Sequence, residues 1–147
     1  MRVFHVAARR FFLQFERGEE IKERLRAFAE ERGIGAGSLR GLGAAERVEL
    51  DFYHLSEKRH EAFSVEEGTE VASLLGNLTR GEDGRAVIHL HATLGRRDGS
   101  TVGGHVERLV VGATLEVDLE VLPGTLRREL DPAVGLPLPH SYARRSP

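Results

Sequence analysis

The sequence predicts an α+β domain in which one long helix packs on a sheet. Apolar residues recur at helical spacing in one segment only, between Gly18 and Gly33. Most of the other segments alternate apolar and polar residues and are separated by turn residues, which is typical of strands. There is no internal repeat and no linker, so we expect a single domain over residues 1–147, with a core at about 9–130 and an extended tail at 131–147.

Composition limits the class of protein. Of the 147 residues, 40% are hydrophobic and 30% charged, which suits a folded soluble chain. The absence of cysteine excludes disulfides, thiolate ligands and a cysteine nucleophile, and it fits a cytoplasmic protein. No apolar run approaches the length of a membrane span, and the N-terminus lacks the apolar region of a signal peptide.

The charge balance argues against a strong autonomous nucleic-acid binder. The formal net charge is −2, whereas such binders usually have a basic surplus. Arginine pairs occur at 9–10, 96–97, 127–128 and 144–145. We interpret these pairs as solvated surface, with a basic face after folding or oligomerisation as the alternative.

The first half of the chain supplies strands and the helix. Residues 2–16 predict one or two strands. Glu19 and Glu20 lie in the first turn of the predicted helix, where negative charge interacts favourably with the helix dipole. Gly33 is placed to end the helix in the left-handed conformation. The glycine-rich segment 34–45 does not match a phosphate loop and is interpreted as a short strand with close backbone packing. Residues 48–55 and 60–65 predict strands on either side of a turn at 56–59.

The second half predicts further strands. Residues 69–79 form one, with a bend at Gly76-Asn77. Residues 109–122 form two segments separated at Gly112, and the polar face of the second includes Glu116. After Pro123 we expect a short strand or turn at 127–130, an extended segment at 136–140 and disorder from 143 to 147.

The chemically informative stretch is AVIHLHATLGRRDGSTVGGHV, residues 86–106. Because side chains alternate along a strand, His89 and His91 point to one face, and Ile88, Leu90, Ala92 and Leu94 to the other. A turn at 97–100 leads to a return strand that contains His105. An odd loop centred on Asp98 pairs His105 directly with His91; an even loop turns it away unless a bulge at Gly103-Gly104 restores it.

In the favourable registers, His89, His91 and His105 converge. Three imidazoles with one open position are the ligand set of an open zinc site. Zinc is the default metal, and nickel, copper and iron stay open as alternatives.

These motifs resemble those of the plant and prokaryote conserved (PPC) domain. The resemblance covers about residues 11–122 and rests on Gly76-Asn77, His-Leu-His at 89–91, Asp98-Gly99 and Gly-Gly-His at 103–105. It implies a curved, mainly antiparallel sheet packed on one helix, and a homotrimer. It also implies DNA binding or a regulatory role, although the sequence has no Arg-Gly-Arg-Pro hook of the plant members.

The histidine pattern is also similar to that of acetolactate decarboxylase, which holds zinc by three histidines. This likeness implies an arginine and a glutamate near the metal, for which Arg40, Glu116 and Glu70 are the candidates.

Three functions follow from these observations. The first is a trimeric, zinc-binding DNA-associated or regulatory protein. The second is a zinc-dependent lyase or hydrolase acting on a small carbonyl or carboxylate compound, with a small anionic ligand at the metal. The third is a structural metal site at a trimer interface. The sequence leaves open whether the chain is an enzyme.

Overall fold

A computed structural model describes residues 1–144 of the chain, which form nine strands and one helix. In chain order the elements are β1 (Arg2–Ala7), β2 (Arg10–Glu16), α1 (Ile21–Glu31), β3 (Gly37–His54), β4 (Arg59–Val65), β5 (Thr69–Arg80), β6 (Ala86–Gly95), β7 (Thr101–Val121), β8 (Thr125–Asp131) and β9 (Leu136–Ala143).

The strands form one sheet that is antiparallel except where β5 meets β8. The main order is β1-β2-β7-β3-β5-β8-β9, with β4 beside β3. Strand β6 pairs with both β5 and β7, and β3 also pairs with both. Strands β3, β5, β6 and β7 therefore close a ring of paired strands, which requires strong curvature.

The helix is short, and the expectation of one long helix is wrong. It spans 11 residues because its start is set by Glu20, whose carboxylate accepts hydrogen bonds from the backbone N–H groups of Lys22 and Glu23. It ends before Gly33, which has a φ of +61°. The predicted apolar stripe is buried against the sheet, as expected: Ile21, Leu25, Phe28 and Ala29.

Two strands are longer than predicted. The glycine-rich segment continues into the following strand as β3, and the hairpin's return strand continues through Gly112 as β7. Register shifts between β3 and β7 absorb the irregular positions, and a Cβ on Gly112 would lie 2.9 Å from the carbonyl carbon of Ala45. The glycines thus permit close backbone approach within continuous strands.

The C-terminal segment is a hairpin rather than only an extended tail. Strands β8 and β9 are antiparallel neighbours, with Thr125 opposite Ala143 at one end and Asp131 opposite Leu136 at the other. The disorder predicted for 143–147 does not hold for Ala143, which is paired; residues 145–147 lie outside the described part of the chain.

The core lies between α1 and the concave sheet. The inward face predicted for β6 is confirmed, since Ile88, Leu90, Ala92 and Leu94 are all buried. In residues 1–144, no helix has the length and apolar character needed to cross a membrane.

We expect Gly76→Ala to destabilise the fold by about 2 kcal/mol, because the added Cβ would collide with the backbone carbonyl of His89 in the neighbouring strand. Urea unfolding measures the loss. Gly95→Ala is the matched control, since a Cβ there has no neighbour closer than 3.8 Å. Equal midpoints for the two variants would contradict the prediction.

Candidate metal centre

The hairpin between β6 and β7 has the odd loop that brings two histidines together. Arg96 N–H donates to Ser100 O at 2.9 Å, and Gly99, with a φ of +82°, donates to Arg96 O at 3.0 Å. This is a three-residue loop centred on Asp98. His91 therefore lies directly opposite His105 in the ladder, as the first of the two alternatives predicts.

The structure brings His89, His91 and His105 together. One ring nitrogen from each lies within 4.8 Å of those of the other two. Ring centroids are 5.1 Å apart for His89 and His91, 5.0 Å for His89 and His105, and 5.4 Å for His91 and His105. His89 and His105 are half-buried, and His91 is exposed.

The cluster has the electrostatic character of a ligand set. Burial, with neighbouring His105 and Arg128, lowers the pKa of His89 to about 4. Burial and Lys22 also lower the pKa of His105. Both rings are therefore neutral at neutral pH, which is the form that binds metals. Three imidazole nitrogens, and no side chain at the adjacent Gly104, fit a divalent metal such as zinc.

The histidines line a cleft of about 650 Å³. Helix α1 contributes two cations to it, Lys22 and Arg26, and the β8–β9 hairpin contributes Arg128 and an apolar wall at 136–138. Lys22 Nζ donates to Val106 O at 2.7 Å and lies 3.5 Å from the Glu107 carboxylate. The lining of the cleft therefore combines three cations with an apolar wall.

Arg128 is the cation in contact with the cluster. Its Nη2 lies 3.3 Å from His89 Nδ1, and only 7% of the residue is exposed. Burial lowers the pKa of its guanidinium. The sequence predicts solvated surface for the 127–128 pair. The alternation of faces along β8 is the signal that separates the buried Arg128 from the exposed Arg127.

Carboxylates also border the cluster. His60 Nδ1 is 3.2 Å from Asp51 Oδ2, and the His60 ring lies 6.2 Å from that of His105. Glu107 Oε1 is 3.2 Å from His105 Nε2. None of these four flanking residues, Asp51, His60, Glu107 or Arg128, was predicted from the sequence to lie at the site. The pairing of β3 with β4 and with β7 brings Asp51, His60 and Glu107 to the cleft. The turn at 56–59 indicates the β3–β4 pairing in the sequence, but no local signal indicates the β3–β7 pairing.

The three other candidates do not line this cleft. Arg40 forms an ion pair with Asp118 at 2.7 Å and lies in a separate depression that Glu116 also lines. Glu70 lines a third depression. In the sheet, Arg40 pairs with Leu75 and Leu75 pairs with His91, so strand β5 separates Arg40 from the histidine cluster.

An open cluster of three histidines on a curved antiparallel sheet defines the class of site, and the comparisons identify the family. The model of the Plants and Prokaryotes Conserved (PCC) domain matches residues 4–123. The chain belongs to this family, as its motifs predict. Comparison with curated proteins returned no match.

Solved structures agree with this assignment. A protein from Bacteroides thetaiotaomicron, described as a "putative dna binding protein", is 26% identical over 97% of this chain and 96% of its own, with a TM-score of 0.89. A protein from Archaeoglobus fulgidus, described as metal-containing, is 27% identical over 96% of this chain and 100% of its own, with a TM-score of 0.84.

A more distant structure shares the fold alone. The α-acetolactate decarboxylase of Bacillus subtilis is 15% identical over 84% of this chain and 57% of its own, with a TM-score of 0.53.

The lowered pKa of His89 predicts a pH-dependent stability of the metal-free chain. An unfolded histidine takes up a proton near pH 6.5 and the folded His89 near 4, so the unfolded state binds more protons between these values. The free energy of unfolding therefore falls as the pH drops from about 6.5 towards 4. Urea unfolding of chelator-treated protein at pH 7.5 and 5.0 should show a larger loss for the wild type than for His89→Gln.

The exposed His140 supplies the control for this measurement. Its ring is 64% exposed, so His140→Gln should retain the wild-type pH dependence. If His89→Gln and the wild type lost stability equally, burial of the His89 ring would not be the cause.

Proposed function

We propose that this PCC-domain protein holds a zinc ion through His89, His91 and His105 and acts on a small carbonyl or carboxylate compound in the adjoining cleft. The carrying observation is the convergence of three imidazoles on one wall of an open cleft. Structural zinc sites are normally closed by four protein ligands, whereas catalytic sites keep one position open. A donor set of three histidines therefore supports a catalytic site.

The chain itself supplies groups for the chemistry of a lyase or hydrolase. Zinc, when bound, supplies a Lewis acid that polarises a carbonyl or activates water. Asp51 Oδ2 lies 3.2 Å from His60 Nδ1, so a carboxylate and an imidazole stand together beside the histidine cluster as candidates for moving a proton. Among residues 1–144, His60 has no other polar partner. The apolar wall at 136–138 excludes water from part of the cleft.

A structural metal at a trimer interface is the competing use of the same three histidines. It requires a fourth ligand from a neighbouring subunit and dissociation of the oligomer on chelation.

DNA binding or a DNA-associated regulatory role is a second candidate function, favoured by the descriptions of the neighbouring structures. The net charge of −2 does not support strong binding. Fluorescence anisotropy with a labelled duplex at several salt concentrations tests it. An association constant whose logarithm falls linearly with the logarithm of the salt concentration would favour this candidate.

We also propose a homotrimer, as the family resemblance implies. Native mass spectrometry should then give three times the chain mass of 16.3 kDa. A species of 16.3 kDa alone at micromolar concentration would contradict it.

The metal site predicts that His89→Ala/His91→Ala abolishes stoichiometric zinc, because a single remaining imidazole does not hold the ion. Elemental analysis of protein purified without a histidine tag should give about one zinc per wild-type chain and none in the double variant. His54→Ala/His140→Ala removes two histidines outside the cleft and should keep the zinc. Zinc retained by the first double variant would refute the site.

A further inference from the structure

Arg128 is a buried cation that has no anionic partner within residues 1–144. Within residues 1–144 its guanidinium contacts only neutral groups: Thr79 Oγ1 at 2.9 Å, Asn77 Oδ1 at 2.9 Å, Pro137 O at 2.7 Å and His89 Nδ1 at 3.3 Å. Burying a charge without a counter-ion is costly. Such a group therefore gains from an anion that enters the cleft.

Arg80 shows how the same fold satisfies a buried arginine that has a structural role. It is 9% exposed, and its Nη1 lies 2.5 Å from the Glu30 carboxylate, with backbone carbonyls at its other nitrogens. The contrast separates Arg128, which lines the cleft, from an arginine that only joins helix to sheet.

The number of donors on Arg128 matches one carboxylate. Of the N–H groups on its terminal nitrogens, one on Nη1 goes to Pro137 and one on Nη2 to Asn77, and the second on Nη2 points at His89 Nδ1. A metal on His89 frees that last N–H, since Nδ1 then either binds the metal or carries a proton. One N–H on each terminal nitrogen is then available, which suits a bidentate contact with a carboxylate.

Part of the lining of the cleft is apolar. Val87 lies on β6, and the β8–β9 hairpin adds Leu136 and Leu138. Phe52, on β3, also lines the cleft and is 61% exposed. These side chains bury apolar surface only if the ligand itself has an apolar part.

We propose that the ligand of this site is a 2-oxo or 2-hydroxy carboxylic acid with an aliphatic or aromatic tail. Its carboxylate binds Arg128, the oxygen on the neighbouring carbon faces the histidine cluster, and the tail lies against Phe52, Leu136 and Leu138. This inference rests on the proposed function and names the substrate class of the same site.

Isothermal titration of the zinc-loaded protein with 4-methyl-2-oxopentanoate tests the role of Arg128. Replacement by Gln should weaken binding at least tenfold, because a charge-assisted bidentate contact is lost, while zinc content stays at the wild-type value. Arg127→Gln, on the exposed neighbour, should bind as the wild type does. Equal affinity in Arg128→Gln and the wild type would overturn the inference.

Three ligand comparisons on the wild type keep the inference falsifiable if Arg128→Gln fails to fold. The amide of the same acid should bind at least tenfold more weakly, since it lacks the charge. Pyruvate should also bind about tenfold more weakly, since it lacks the apolar tail. Inorganic phosphate should bind more weakly than the acid. An amide that binds as tightly, or phosphate that binds more tightly, would overturn the inference.

The metal-free chain separates this inference from the proposed function. If the wild type takes up no zinc, the proposed function fails, and titration of the metal-free wild type and Arg128→Gln decides the role of Arg128 by itself. Arg128-dependent binding of the acid there would support a carboxylate site without a metal. Absence of binding to the wild type in both metal states would overturn the inference.

Discussion

The direct pairing of His91 with His105 is the constraint on which the candidate site depends. It exists because the loop between β6 and β7 has an odd number of residues, with Gly99 in the left-handed conformation. A shift by one residue would turn His105 to the other face of its strand. Closure of the ring of paired strands then holds β6 between β5 and β7, so neither side of the pairing can slip alone.

Around this pair, the fold concentrates charge that its own side chains only partly neutralise. Asp51 contacts His60, and Glu107 is shared between Lys22 and His105. Arg128 is left with neutral partners among the described residues. Unbalanced charge in a partly buried cleft weakens the folded state and strengthens the binding of an anion. Stability and ligand affinity are thus opposed at the same residue.

Much of the fold was predictable because it rests on local patterns. The stripe from Ile21 to Ala29 and the alternation in β6 correctly identified which faces are buried. The lengths of the helix and strands were harder to predict from the sequence. The carboxylate of Glu20 caps the helix and makes it shorter than expected, and β7 continues through Gly112 because pairing with β3 overrides a local turn signal. Both boundaries depend on contacts rather than composition.

By itself, the sequence determined the three histidines and the strand that carries two of them, because alternation and loop parity act over short distances. The tertiary structure alone decided which other residues join them. Arg128 reaches the cleft through the pairing of β8 with β5, and the hairpin that carries His60 reaches it through the pairing of β3 with β7, whereas Arg40 and Glu70 border other depressions. No short-range pattern encodes those pairings, because each arises from closure of the whole sheet.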